Sequence, residues 1–201
     1  MQTKATKRRR LSPEKRIDEL LDTACSIIKS EGVAAATMQR IAQDSGVSKG
    51  LIYAYFNNQN ELLQALMIRE HKRFQAIRTR DAQEATSFDD MVRATQLDSW
   101  DYALNHRPFR DRLMAVPAVA EAMKDLLLKE RRDTVKFLSK KMVENFNIPR
   151  AVAKLAVIQL TGIRNEDIKD HLSPAKMKEV EDIWSIMVNG AFQALEKKYG
   201  A

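Results

Sequence analysis

The 201 residues carry a net charge of +7, with 44% hydrophobic and 30% charged residues, a balance that supports a packed core and excludes a disordered chain. Six glycines and five prolines are too few for an all-β chain, which must turn often. No apolar run approaches the ~18–20 residues needed to span a bilayer, and the single cysteine, Cys25, allows no intramolecular disulfide. A cytoplasmic, all-α protein is expected.

The charge is concentrated at the start, where Lys4, Lys7, Arg8, Arg9 and Arg10 stand without an acid among them. Residues 1–11 therefore read as a basic arm drawn to polyanions, because each neutralised phosphate releases counterions. A solvated terminus with no such role is the alternative. The arm leads into Ser12-Pro13-Glu14, which is a helix start and not a signal-peptide core: cap, first-turn proline, and an acid at the positive helix end.

Ile17, Leu20, Leu21, Ala24, Ile27 and Ile28 recur at helical spacing, and Gly32 ends that helix. Thr37 caps a short helix with Met38, Ile41 and Ala42 inward. Gly46 supplies a turn, and Ser48 caps a third helix running to about Phe56. Asn57 and Asn58 break the chain before a long helix from Gln59. Further helices are expected at about 59–80, 88–105, 117–146, 150–170 and 175–199, with Ser87 and Asp90 forming a capping box and Pro108, Pro117, Pro149 and Pro174 at or near the joints. The domain plan is an arm (1–11), a helix-turn-helix domain (12–58) and a helical body (59–201).

The informative stretch is Thr37–Phe56. Two helices meet at a wide angle around Gly46, Ala42 is small where they cross, and Val47, Ile52 and Phe56 turn inward. Lys49, Leu51, Tyr53, Ala54 and Tyr55 are left facing out, and the capped start of the second helix offers backbone N–H groups to a phosphate. Such a helix fits the major groove of double-stranded DNA. An ordinary helical hairpin would not need this joint set of caps, small residues, paired tyrosines and a basic arm.

Ile41-Ala42, Gly46-Val47-Ser48-Lys49-Gly50, Tyr53-Ala54-Tyr55-Phe56 and Glu61-Leu62-Leu63 resemble the tetracycline-repressor (TetR) family, over about residues 12–66. The resemblance implies a cytoplasmic homodimer with a DNA-binding domain and a ligand-binding helical body, its last two long helices forming a four-helix interface. It implies that Thr37 and Ser48 touch phosphate, that Lys49, Leu51 and Ala54 face bases beside Gly50, and that Tyr53 and Tyr55 hold phosphate or sugar. Two positions depart from the family pattern. Gln59 replaces a phosphate-gripping lysine, and Gln39 replaces an arginine that reaches guanine, which shifts the preference at that step toward adenine.

Over 180–195 the apolar residues follow paired i, i+3, i+4 steps, two residues wide, as suits a helix packed on its own subunit and on a partner; Gly162 and Gly190 permit close approach. Homodimerisation is expected through helices about 150–170 and 175–199. A small, mostly apolar effector is expected beside Thr95, Ser99 and Tyr102, which lie along one line, with Trp100 and with Gln159, which interrupts an apolar run. On the opposing reading those hydroxyls face water and Gln159 bonds across the dimer. His71, His106 and His171 are scattered, and no phosphate loop or nucleophile elbow is present, so neither an enzyme nor a cofactor or metal is expected. The reading is a repressor released by its effector, or a DNA-binding regulator controlled by a partner protein.

Overall fold

The computed structural model describes residues 12–101, 106–162 and 174–200, with only the backbone described for 95–101 and for parts of two later helices. All regular structure among them is helical: α1 Pro13–Glu31, α2 Met38–Asp44, α3 Lys49–Tyr55, α4 Gln59–Glu84, α5 Phe88–Asp101, α6 Arg107–Met114, α7 Pro117–Asn145, α8 Arg150–Gly162 and α9 Pro174–Tyr199. A 3-10 turn at Val33–Ala35 links α1 to α2. No described helix is long and apolar enough to cross a membrane.

The expected punctuation is present. Ser12 accepts the N–H of Lys15, Pro13 opens α1, and Gly32 ends it at φ 92°, a value an L side chain rarely adopts. Asn58 caps α4 through the N–H of Glu61, while the Glu61 carboxylate reaches back to the N–H of Asn57. Ser87 accepts the N–H of Asp90 at the start of α5. Two differences stand out. α4 continues to Glu84, and α6 was not expected, because Pro108 reads as a joint. Proline is tolerated in a first turn, where its missing N–H has no helical partner, and a helix of eight residues is too short to show periodicity.

The chain forms two compact units. The first holds the described residues up to Arg69, with Asp111–Ala120. Its core is drawn from α1 (Leu20, Ala24, Ile28), α2 (Ile41, Ala42), α3 (Ile52) and the first half of α4 (Leu62, Leu63, Leu66). Polar ties explain why it extends past residue 58. Arg69 of α4 bonds the carbonyl of Asp18 and pairs with Asp22, Gln64 donates to the carbonyl of Ala118 at 2.9 Å, and Arg112 donates to the carbonyl of Ile28 at 3.0 Å, in the last turn of α1. Helix ends leave carbonyls without intrahelical partners, and a cation there also meets the negative end of the dipole.

The second unit, Glu70–Arg110 with Glu121–Ala201, centres on three phenylalanines. Phe88 of α5 meets Phe146 edge-on at 5.1 Å, and Phe146 stacks on Phe192 of α9 at 5.4 Å. Met91, Val92, Val135, Met142, Val157 and Val188 complete the cluster. Beside it, a polar clamp joins α5 to α9. Asp89 accepts from Ser185, from Asn189 at 2.7 Å and from Arg93 at 2.7 Å, and Arg93 also reaches Asp182 at 2.6 Å. The hydrogen bond from Ser185, and then that from Arg93, hold the Asp89 carboxyl below the usual range, so the clamp stabilises the fold above that range and weakens as pH falls through the lowered value. Asp89 is 43% and Arg93 37% exposed, which lets solvent screen the pair, so Asp89→Asn should lower stability at neutral pH by only about 1 kcal/mol. Denaturant titrations should show the variant losing less stability than the parent between about pH 6 and about pH 3; equal acid sensitivity would mean the clamp is idle.

Candidate nucleic-acid interface

α2 and α3 have seven residues each, too few to persist in isolation, and both are fixed at their ends and on their inner sides. Thr37 Oγ1 accepts the N–H of Arg40 at 3.2 Å, and Ser48 Oγ accepts the N–H of Leu51 at 3.2 Å. Between them Gly46 takes φ 59°, which brings the N–H of Val47 to the Ala42 carbonyl at 2.9 Å. Ile41 and Ile52 are fully buried, and Phe56 is buried at the end of α3. Val47, expected inward, is half-buried.

Sequence reasoning missed three ties that orient this motif. Ser45, buried at the end of α2, donates to Thr23 of α1 at 2.9 Å, and Thr23 in turn donates to the Glu19 carbonyl. Arg40 bonds Asp44 at 2.7 Å and Glu31 at 3.0 Å, and the Asp44 bond above all raises its pKa, so this cation is committed to the fold. The spacing of Arg40 to Asp44 is a helix pair legible in the sequence; Glu31 and Thr23 become neighbours only through tertiary contact. Gln59 donates to the Ala36 carbonyl at 3.1 Å and braces the loop before Thr37.

The outward face is otherwise as expected. Thr37, Gln39, Ser48, Lys49, Gly50, Tyr53 and Ala54 are exposed, and Leu51 and Tyr55 are half-buried. Lys49 Nζ lies 5.9 Å from the Tyr53 ring centre, one turn away, which aligns an ammonium and a phenol on one side of α3. The capping hydroxyls of Thr37 and Ser48 accept backbone N–H groups, and each still has a proton to donate outward. A Cβ at Gly50 would meet nothing nearer than Ser48 Oγ at 4.0 Å. The fold therefore has no steric need for glycine there.

The expected effector residues are less accessible. The side chains of Thr95, Ser99 and Trp100, and the whole of Tyr102, lie outside the described residues. Gln159 is exposed on α8. One described hollow of the second unit, of 380 Å³, runs between α4 and α7.

Two short capped helices crossing at a positive-φ glycine, with the second displayed to solvent, define a helix-turn-helix protein. Residues 20–66 match the family of bacterial regulatory proteins named tetR. The chain is 38% identical over 53 residues to the HTH-type transcriptional regulator SrpR of Pseudomonas putida, covering 26% of this chain and 25% of that protein. It is 27% identical over 128 residues to the HTH-type transcriptional regulator UidR of Escherichia coli, covering 61% of this chain and 62% of the relative. The aligned parts thus span less than two thirds of these relatives. In fold it is similar to a solved candidate transcriptional regulator from Pseudomonas aeruginosa, with TM-score 0.67 at 19% identity over 94% of this chain and 96% of that one. Residues 20–66 therefore carry an N-terminal DNA-binding domain of the tetR type.

Ser48→Ala should lower stability by about 1 kcal/mol through loss of the cap. Gly50→Ala should raise it by roughly 0.5–1 kcal/mol, since alanine is the better helix former and the space is open. Denaturant unfolding measures both, and a destabilised Gly50→Ala would show that the fold itself requires the glycine.

Proposed function

We propose that the chain is a homodimeric, cytoplasmic transcription regulator that represses by holding operator DNA and lets go when its helical body binds a small molecule. The observation that carries the DNA reading is the outward face of α2 and α3. The side chains of Gln39, Lys49, Tyr53 and Tyr55 make no hydrogen bond with the described chain, while the cations that brace the motif are already paired. On this reading Lys49, Leu51 and Ala54 meet base edges, Gln39 meets adenine, and Thr37, Ser48, Tyr53 and Tyr55 hold the backbone. Gly50 then has a purpose: the helix comes close to the groove wall where a side chain would intervene.

The dimer reading rests on α8 and α9. Leu155 is 65% exposed, and Ile183, Ile186 and Met187 are 49%, 70% and 58% exposed, on helices whose opposite sides are buried. A Cβ at Gly190 has nothing within 4 Å in this chain, and Ala191 beside it is exposed. A second copy laid on that face would cover it, and a symmetric dimer suits an operator whose half-sites lie roughly 34–36 Å apart. The effector reading rests on the hollows of the second unit. Control by a partner protein without a ligand is the alternative, and a copurifying small molecule detected by mass spectrometry would decide against it.

Selection of bound sequences from random DNA should return a palindromic site. Lys49→Ala and Gln39→Ala should change the preferred sequence, and Tyr53→Phe should weaken all sequences alike by roughly 0.5–1.5 kcal/mol. Deleting residues 1–10 should flatten the salt dependence of affinity, by about 0.9 in slope for each phosphate no longer neutralised, and leave the preference unchanged. Failure of the parent to select any sequence would overturn the DNA reading. Ala191→Asp should give a monomer in sedimentation, because an unpaired carboxylate in the interface costs several kcal/mol. A stable dimer of that variant would mean the interface lies elsewhere.

A further inference from the structure

Phe88, Phe146 and Phe192 are buried at the centre of the second unit, but Phe137, in the C-terminal half of α7, is 40% exposed. It lines three neighbouring hollows, of 310, 250 and 380 Å³. Asp133, Lys136, Lys140 and Arg150 complete the walls of the 250 Å³ hollow. Asp133, Lys136, Phe137 and Lys140 fall at i, i+3, i+4 and i+7, hence on one face of α7, and Arg150 is the first residue of α8. Three cations and one carboxylate thus surround an apolar ring.

Several cations of this unit are matched by acids, as in Arg73 with Glu70, Arg80 with Asp81, and Arg93 with Asp89 and Asp182. Lys136 and Arg150 have no ion pair among the described residues, and Lys140 reaches Glu144 only at 3.6 Å. Like charges one turn apart on a helix repel, and a half-exposed phenyl ring keeps apolar area in water. A single ligand answers both. We propose that this hollow binds an aromatic organic anion, its ring against Phe137 and its carboxylate or phosphate among Lys136, Lys140 and Arg150. The 380 Å³ hollow shares Asp133 and Phe137 and adds Gln75, Thr79 and Thr134, so a ligand of more than one ring finds room and hydrogen-bond partners there. This assignment rests on the reading that the body takes an effector, and it gives the mostly apolar molecule expected from the sequence an anionic group.

Calorimetry on the full chain with benzoate, 1-naphthoate and phenyl phosphate tests it, with benzamide as the uncharged ring and inorganic phosphate as the anion without a ring. At least one aryl anion should bind more tightly than benzamide and than inorganic phosphate. The double variant Lys136→Gln, Arg150→Gln should lose about tenfold in that affinity. Phe137→Ala should weaken the aryl anion and leave inorganic phosphate unchanged. Asp133→Asn should tighten binding, a gain that damage to the fold would not produce. No aryl anion binding at millimolar concentration, binding equal to that of benzamide, or indifference to both the charge and the ring variants would overturn the proposal. Release of operator DNA is read separately: an aryl anion that binds as described but leaves DNA bound keeps the site and removes its role as effector site.

Discussion

Two helices of seven residues cannot hold their own shape in water, and everything this protein presents to a partner through α2 and α3 depends on their being held by the rest of the first unit. α1 is the frame. It buries Leu20, Ala24, Ile27 and Ile28 under the motif, and α2 packs against both α1 and α3. Apolar burial supplies most of that attachment, at roughly 1.5–3 kcal/mol for each large side chain fully withdrawn from water. Direction comes from polar contacts: the two caps, the Ser45–Thr23 hydrogen bond, and the clasp of Arg40 on Glu31 and Asp44. Because the inward positions are committed to the core, the outward ones other than the caps Thr37 and Ser48 have no structural duty, and their chemistry can be set by what they meet.

The net charge of +7 is a poor guide to where that chemistry lies. Arg40, Arg69 and Arg112 are engaged inside the first unit, the last two on backbone carbonyls of α1. What remains on the described outer face of α3 is a single lysine aligned with a tyrosine. On the proposed reading, a face with few charges but several hydroxyls and an amide suits reading of groove edges more than bulk attraction to phosphate, a task for which the sequence offers the basic residues ahead of Ser12.

The second unit solves a different problem. Its three packed phenylalanines and the aliphatic residues around them use one side of α5, α7, α8 and α9, and the Asp89–Arg93–Asp182 cluster pins α5 to α9 beside that core. α9 is consequently apolar on two sides, with Val188 and Phe192 buried and Ile186 and Met187 open. Exposed apolar area of that kind, on helices already anchored, is what the proposed dimer would cover.

The sequence alone determined the helices with strong periodicity and chemical punctuation: α1 between Ser12 and Gly32, α2 and α3 behind Thr37 and Ser48, the turn at Gly46, and the start of α5 at Ser87. Caps and positive-φ glycines act within four residues, so their signals survive in one dimension. The outward face of α3 was legible for the same reason, since helical spacing separates Ile52 from Lys49 and Tyr53 without knowledge of the fold. Tertiary structure decided what depends on residues distant in sequence. It set Gln59 as a brace on Ala36, placed Arg112 on the end of α1 and joined Asp111–Ala120 to the first unit. It also gathered Lys136, Lys140 and Arg150 around Phe137, a convergence that no single helix pattern carries. Hydrogen bonds across fifty or more residues and hollows shared by two helices are properties of packing, and only the folded chain brings those groups together.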